Sequence, residues 1–492
     1  MPRRTALLQA AAALSVLTAP AERASASIFW RNANPSGFGA ARSLLLNSQL
    51  EAAMLTSPTR FGGKQALSYY TAETLLLSLL PVQCPPLDAL QKEAEQIYVL
   101  RSSLNSSLSM TAASYDWSKL EKARVEALNV TLESMPLFKL FFDRSTLKKG
   151  MKALDELEEL LRGLEAPLEQ KNIAATLALQ TRVMRELVNL GNLAVPEFPY
   201  TVCKATYCEG RPRLLGRATV EMMIARANAT AFDGSSGYVR LTAMLDGYGA
   251  PISAGNFVDL VKRGFFNGLP FSRGGSRLPA GVVGSGAVVS SGQPADLGGN
   301  VTGFVDPRTG QYRTIPLEIL PANTASGPVY CPPGTYCPPE GMGSSYALPF
   351  RAKGSMGMVH TPGTPDDGAS EFFVLTEDVA AGSPVAAELD GQYALFGFVL
   401  EGVELLPTLG PGDTIVSAKV ISGAENVRRP DFNPTYQGRS SGNVKRDYQM
   451  LGGEGLGSYE STLPADLPLA PEDAAGLERL PDKATDEGDG ES

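Results

Sequence analysis

The feature that most constrains the fold is a change in the spacing of apolar residues near positions 196–217. Before this segment apolar residues recur every three or four positions, and after it they tend to alternate with polar ones. The first spacing is typical of amphipathic helices and the second of β-strands. At 492 residues the chain also exceeds what one hydrophobic core usually serves. We therefore predict a helical bundle over 64–195, a linker over 196–217 and a β-domain over 218–423.

Three apolar stripes define helices in the first part of the chain, and they begin at Leu87, Leu147 and Ile173. Ser145 is placed to act as the N-cap of the second helix. Gly191 follows the third stripe and is predicted to end that helix. Stripes of this kind usually form the core of a bundle rather than a binding surface.

The β-domain contains six apolar segments that are separated by Gly, Pro, Asn and Asp. The predicted strands are Ala218–Ala225, Tyr238–Leu245, Gly354–Val359, Glu371–Thr376, Gln392–Leu400 and Thr414–Ile421. Two helical stretches, Ser253–Phe265 and Val403–Leu409, interrupt them. Many short strands with two helices indicate a closed antiparallel β-barrel with two capping helices. The chain as a whole is thus predicted to be a multidomain α + β protein.

Both ends of the chain have the composition of segments outside a folded core. Residues 1–26 have a basic start, an apolar stretch and small residues at 24–26, which is the layout of a signal or lumen-targeting peptide. Residues 27–63 are predicted to be an extended mature N-terminus. Residues 424–492 are polar and acidic and are predicted to be a disordered tail. We expect an exported protein with no membrane span after signal removal.

Composition excludes several classes of function. A formal net charge of −9 argues against a nucleic-acid binder, which needs a basic face. The chain has one histidine, His360, so a multi-histidine metal site is excluded. A lone histidine in a loop is most often solvent-exposed and without a role, and we expect this of His360. No cofactor is expected.

The five cysteines leave three interpretations open. Two close pairs, Cys203 with Cys208 and Cys331 with Cys337, suit short-range disulfides in an oxidising compartment. Free thiols are an equal alternative. A four-cysteine zinc site is the least favoured, because the spacings within the pairs are longer than the usual CxxC.

Three segments of the β-domain resemble the cyclophilin family, in the family's order. They are LDGYGAPISAGNFVDLVKRGFFNGLPFSR, GSMGMVHTPGTPDDGASEFFVLTED and ELDGQYALFGFVLEGVELL. Together with the helical N-terminal part and the export signal, they resemble the large thylakoid-lumen cyclophilins. This resemblance implies a peptidyl-prolyl cis-trans isomerase (EC 5.2.1.8) with proline-containing protein substrates. It also implies a role in the assembly or maintenance of photosystem II in the chloroplast thylakoid lumen.

The resemblance also assigns the site residues. Arg273 occupies the position of the family's catalytic arginine, which donates toward the prolyl nitrogen. The implied substrate-binding residues are Phe373, Met358, Val359, Leu389, Val282 and Tyr393. Strand alternation sends Phe372 and Phe373 to opposite faces, so that one packs inside the barrel and the other can line the groove. The alternative is that both are core residues.

Several positions depart from the family's pattern. Gly281 and Gly284 stand where the family has an aromatic residue and a glutamine, and Glu371 replaces another glutamine. Glu388 and Tyr393 stand where many members have tryptophan and histidine. We therefore expect weak isomerase activity. The alternatives are a non-catalytic assembly factor or chaperone, and a secreted protein unrelated to photosynthesis.

Overall fold

The structure is a computed structural model of the chain. It describes residues 71–81, 84–97, 116–195, 197–227, 237–273, 282–285, 289–290, 293–294, 304–306, 311–322, 327–332, 348–361 and 364–429. The predicted signal peptide, the extended segment 27–63 and the tail beyond residue 429 lie outside these ranges. No helix among the described residues combines the length and the apolar character that a bilayer crossing requires.

The N-terminal part is helical, as the stripes predict. Its helices are α1 (Ala72–Ser78), α2 (Pro85–Ile97), α3 (Trp117–Phe141), α4 (Leu147–Gly163), α5 (Glu165–Glu169) and α6 (Ile173–Ala194). The stripes face inward, and Leu154, Leu157 and Leu187 are among the residues that pack in the resulting core.

Two predicted helix boundaries are wrong. Thr146, not Ser145, precedes α4, and neither caps the helix with its side chain; instead the Oδ1 of Asp143 accepts hydrogen bonds from both backbone N–H groups. Gly191 does not end α6, which continues to Ala194. A Cβ at Gly191 would lie 2.3 Å from Cδ1 of Leu80, so this glycine permits close packing between α6 and the end of α1.

The described residues of the β-domain form sixteen strands, which range in length from two to nine residues. They are β1 (Arg213–Leu214), β2 (Arg217–Ala225), β3 (Tyr238–Asp246), β4 (Ser272–Arg273), β5 (Val282–Ser285), β6 (Val289–Ser290), β7 (Gln293–Pro294), β8 (Val305–Asp306), β9 (Gln311–Tyr312), β10 (Glu318–Ile319), β11 (Val329–Tyr330), β12 (Ser355–Met358), β13 (Phe372–Leu375), β14 (Ala394–Glu401), β15 (Thr414–Ser422) and β16 (Val427–Arg428). All six predicted strands are present. Two α-helices, α7 (Pro251–Lys262) and α8 (Pro384–Leu389), accompany them, and residues Val403–Thr408 form a 3-10 helix.

Eight strands form one antiparallel sheet in the order β15-β2-β3-β14-β12-β13-β5-β4. Close to its two ends, Pro270 and Thr414 form an isolated antiparallel bridge. The backbone N–H of Gly268 also donates to the carbonyl oxygen of Ile415 at 2.7 Å. Segments at the two ends of the strand order are therefore in direct contact.

The two faces of this sheet belong to different apolar clusters. One face packs on α7, and Phe257, Phe372 and Phe396 lie in that cluster. The other face contributes Phe373 and Phe398 to a cluster that continues into the helical bundle. The bundle is therefore packed directly against the sheet.

The segment predicted as a linker and the start of the predicted tail are both part of this folded region. Val202 and Leu214 are buried, and Arg217 already belongs to β2. Residues 424–429 continue the fold, because Val427 pairs with Leu214 and the N–H of Leu215 donates to the carbonyl oxygen of Asn426.

Candidate active site

Phe373 on β13 is the centre of the candidate site. In the sheet it is paired with Gly357 of β12 on one side and with Gly284 of β5 on the other. A Cβ at Gly357 would lie 2.2 Å from Cζ of Phe373, so the ring rests against the bare backbone of that glycine. Glycine is required here for close approach rather than for an unusual backbone angle.

Phe372 and Phe373 pack on opposite faces of the sheet, as strand alternation predicts. The ring of Phe372 lies 5.1 Å from that of Phe257 on α7. The ring of Phe373 lies 5.5 Å from Phe350 and 5.3 Å from Tyr393. The two phenylalanines therefore belong to different clusters.

The structure brings five of the six predicted substrate-binding residues together. Val282, Val359, Phe373, Leu389 and Tyr393 lie in the same apolar cluster, and all five are buried. Met358 is not with them, because it pairs with Phe372 and packs in the cluster on the opposite face. This cluster also extends into the helical bundle, and within it the ring of Tyr393 packs edge to face on Phe373.

Arg273 lies on β4, two strands away from β13. In the register of β4 and β5, Arg273 is paired with Val283, and Ser272 is paired with Gly284. Gly284 is in turn opposite Phe373. Gly281 lies outside the described residues. The catalytic role of Arg273 stays a prediction.

A polar brace, formed by Asp390, Phe350 and Arg351, lies beside this cluster, and no local sequence pattern predicts it. The carboxylate of Asp390, which follows α8, accepts a hydrogen bond from the backbone N–H of Phe350 at 2.8 Å and pairs with Arg351 at 2.6 Å. The brace fixes the backbone that carries the Phe350 ring against Phe373. Residues 350 and 390 are 40 positions apart, and only the fold brings them together.

Two acidic residues that depart from the family's pattern act on Tyr393. Burial raises the pKa of the Tyr393 hydroxyl, and the negative charges of Glu388 and Glu371 raise it further. The hydroxyl therefore stays neutral and can serve as a hydrogen-bond donor at the edge of the site.

The expectation for His360 is wrong. Its side chain is buried, with 8% of the residue exposed. Both ring nitrogens lie within hydrogen-bond distance of backbone carbonyl oxygens. A single sequence carries no signal for this burial, because one partner, Gln392, is 32 positions away.

The structure decides between the three interpretations for some of the cysteines. Cys203 and Cys208 form a disulfide, which excludes the free-thiol and zinc alternatives for this pair. Cys331 is also disulfide-bonded, whereas Cys337, its expected partner, lies outside the described residues. Cys84 is buried. In the described ranges no group of three or more His, Cys, Asp or Glu side chains is arranged to hold a metal ion.

Comparison with known proteins identifies the class of this site. The sequence model of the family described as cyclophilin type peptidyl-prolyl cis-trans isomerase/CLD matches residues 232–425. The chain is also 34% identical over 359 residues to the thylakoid lumen peptidyl-prolyl cis-trans isomerase sll0408 of Synechocystis sp., a match that covers 72% of this chain and 83% of that protein. The chain therefore belongs to the family of cyclophilin-type peptidyl-prolyl cis-trans isomerases. The family and enzyme class expected from the sequence are confirmed.

A second relative is also named a peptidyl-prolyl cis-trans isomerase. The chloroplastic peptidyl-prolyl cis-trans isomerase CYP38 of Arabidopsis thaliana is 31% identical over 292 residues, which cover 59% of this chain and 62% of that protein. Among solved structures, a Cryptosporidium parvum cyclophilin type isomerase crystallised with the dipeptide Ala-Pro covers 42% of this chain and 99% of its own, at 18% identity and a TM-score of 0.26.

Proposed function

We propose that this chain catalyses cis-trans isomerisation of X-Pro bonds in protein substrates, with low activity. The barrier to this rotation is about 18–20 kcal/mol because the amide bond is partly double-bonded. Neither a nucleophile nor a metal is needed to lower it. A donor at the prolyl nitrogen stabilises the twisted amide, and an apolar pocket holds the ring. We assign the first role to Arg273 and the second to the cluster around Phe373.

One observation carries this proposal. The apolar cluster that holds Phe373 also holds four of the other predicted substrate-binding residues. Gly284 and Ser272, which precedes Arg273, occupy the same cross-strand row as Phe373. β4 is therefore the strand next to β5 at the end of this row, and Arg273 itself lies in the adjacent row with Val283 and Val374.

The low activity follows from Gly284. We propose that this position is where the family's glutamine would donate to the substrate carbonyl, and glycine has no side chain to do so. Loss of one well-placed donor typically reduces the rate by about 10²–10³. A loosely held substrate reduces it further, because catalysis requires accurate orientation.

We also propose that the sheet closes into a barrel, with α7 and the 3-10 helix Val403–Thr408 as its caps. The bridge between Pro270 and Thr414 supports closure. The hydrogen bond from the N–H of Phe271 to the carbonyl oxygen of Asp413, at 2.7 Å, supports it as well.

The thylakoid lumen is the proposed site of action. The name of the Synechocystis relative assigns that protein to the thylakoid lumen, and the name of the Arabidopsis relative assigns that protein to the chloroplast. We propose photosystem II subunits as substrates, on the basis of the resemblance to the large lumenal cyclophilins. Co-purification of these subunits with the tagged chain from thylakoid lumen and membrane fractions tests this assignment.

The second candidate function is a binding module without catalysis, such as an assembly factor or chaperone. It is favoured by the burial of the proposed pocket, since Val359, Phe373 and Leu389 each have 0% of their surface exposed. A prolyl ring cannot reach these side chains unless neighbouring groups move.

A substitution at Gly284 separates the two functions. Isomerisation of a proline-containing peptide is measured with the full chain and with Gly284→Gln, which restores a donor. Gly284→Leu is the matched control, since leucine is of similar size and has no donor. If the chain is an isomerase, the rate should increase about tenfold or more in the glutamine variant and not in the leucine variant. Peptide binding with no isomerisation in any of the three chains identifies a binding module.

A further inference from the structure

His360 is held between two carbonyl oxygens at the edge of the candidate site. It lies two residues beyond the end of β12, directly after Val359. Its Nε2 is 2.6 Å from the carbonyl oxygen of Gln392, and its Nδ1 is 3.0 Å from the carbonyl oxygen of Thr361. Both contacts are shielded, because only 8% of the residue is exposed.

This arrangement is chemically unusual for a neutral histidine. A carbonyl oxygen only accepts hydrogen bonds, and a neutral imidazole carries one N–H. In either neutral tautomer one ring nitrogen therefore directs its lone pair at a carbonyl oxygen, and the two repel. The doubly protonated ring has two N–H groups and can donate to both oxygens.

The ring also connects the two segments that carry pocket residues. Its centroid lies 5.0 Å from the ring of Tyr393, which follows Gln392 directly. Tyr393 in turn lies 5.3 Å from Phe373, edge to face. A change in the position of the His360 ring is thereby transmitted to the centre of the site through one aromatic side chain.

We propose that His360 is a positioning residue for the isomerase site, and that it ties the 359–361 and 392–393 segments together fully only when its ring carries both protons. On uptake, one proton from solvent binds the bare ring nitrogen, and the new N–H donates to the carbonyl oxygen that it faces. No other bond forms or breaks. The inference rests on the proposed function, because it assigns His360 a part in that same site.

The charged groups near the ring are acidic. Asp367 accepts a hydrogen bond from the backbone N–H of Thr361 at 2.8 Å and interacts electrostatically with His360. Asp366 adds a second negative charge beside Asp367. On the other side, Glu388 and Glu371 act on Tyr393. Among the described residues, the titratable groups named here around the ring are four acids and one tyrosine.

The first test does not depend on activity. Because the chain has one histidine, ¹⁵N NMR of the full chain gives one assignable pair of ring nitrogens. We expect two protected ring N–H groups at acidic pH, one of which is lost as the pH rises. The Tyr393 ring resonances should shift with the same midpoint in the wild type and not in His360→Gln. The proposal is overturned if the His360 ring is neutral at every pH. It is also overturned if the Tyr393 ring resonances do not change at the pH at which the His360 ring loses its proton.

The second test measures kcat/KM for a proline-containing peptide between about pH 5 and 8, where imidazoles titrate. We expect the wild-type value to fall about fivefold toward the alkaline end, the effect of one modest hydrogen bond. His360→Gln donates at all pH values and should give a flat profile. Asp367→Asn can still accept the hydrogen bond from Thr361 and should still lose rate toward the alkaline end, which separates the imidazole from the neighbouring carboxyl.

The outcomes distinguish this inference from the proposed function. A wild-type profile that is flat, or one that His360→Gln reproduces, contradicts the positioning role while the isomerase stands. A chain with no isomerisation at any pH contradicts the proposed function instead. In that case the NMR measurement still decides whether the protonated His360 ring donates hydrogen bonds to both carbonyl oxygens.

Discussion

Nε of Arg217 lies 2.6 Å from Oδ1 of Asp246, and the side chains are 4% and 0% exposed. The same guanidinium donates to Oδ1 of Asn192 at 2.7 Å and to the carbonyl oxygen of Leu76 at 2.6 Å. Arg217 and Asp246 belong to the sheet, whereas Asn192 and Leu76 belong to α6 and α1. One buried ion pair therefore also joins the helical bundle to the sheet.

Replacement of this arginine should destabilise the whole fold. Burial raises the pKa of the Asp246 carboxyl, and the Arg217 charge opposes that shift. Arg217→Ala leaves the carboxyl buried without its cation and should lower the free energy of unfolding by about 3–5 kcal/mol. Urea denaturation measures this change. Arg162→Ala is the control, because Arg162 forms an exposed pair with Glu158 and its loss should change stability by about 1 kcal/mol or less. A similar small change for both variants contradicts the account.

Stability should also depend on pH through Glu318. Its carboxylate accepts hydrogen bonds from the N–H groups of Ile252 at 2.9 Å and Ser253 at 2.6 Å, in the first turn of α7. Burial raises its pKa from 4.5 to about 7, although these hydrogen bonds oppose the shift. The folded chain therefore binds this proton more tightly than the unfolded chain. Its stabilising effect is complete below pH 4.5 and is lost as the pH rises toward 7.

The expected loss is on the order of 3 kcal/mol, at about 1.4 kcal/mol for each pKa unit. Denaturation at a series of pH values measures it. Glu318→Gln cannot ionise, so the unfolding free energy of the wild type should fall relative to that of the variant as the pH rises through this range. A difference that is constant between pH 4.5 and 8 would show that Glu318 does not titrate there as described.

Substitution of Gly357 should lower both stability and activity, because no side chain fits between this residue and Phe373. A Cβ at this position meets three ring carbons of Phe373 at 2.2–2.8 Å, so Gly357→Ala must displace the ring. We expect a loss of about 1–3 kcal/mol in stability and a fall in isomerase activity. Gly163→Ala is the control, because the nearest neighbour of its Cβ is Cδ1 of Leu179 at 4.0 Å. That helical substitution should stabilise the chain slightly and leave activity unchanged.

The sequence predicts those parts of the fold that depend on local pattern. Apolar spacing located the helices that begin at Leu147 and Ile173, and alternation separated Phe372 from Phe373. The order of three motifs identified the family. Each of these signals is contained within a short stretch of chain, so one sequence suffices to detect it.

The missed features depend on contacts between distant segments. Gly191 resembles a helix stop, yet it allows α6 to approach Leu80. His360 resembles an exposed loop residue, yet Gln392 and Tyr393 enclose it. The brace between Asp390 and Phe350 leaves no local pattern either. These arrangements exist only after the chain has folded.

The central claim is that this chain is an isomerase that uses Arg273. Its most direct test is the isomerisation rate of a proline-containing peptide with the full chain, Arg273→Ala and the control Arg240→Ala, which changes an exposed arginine on β3. Weak but measurable catalysis is expected in the wild type and the control. Arg273→Ala should lose about 10²-fold or more of the rate, down to the uncatalysed rate, with unchanged thermal unfolding. An Arg273→Ala rate equal to wild type, or no catalysis by the wild type, would contradict the catalytic role of Arg273.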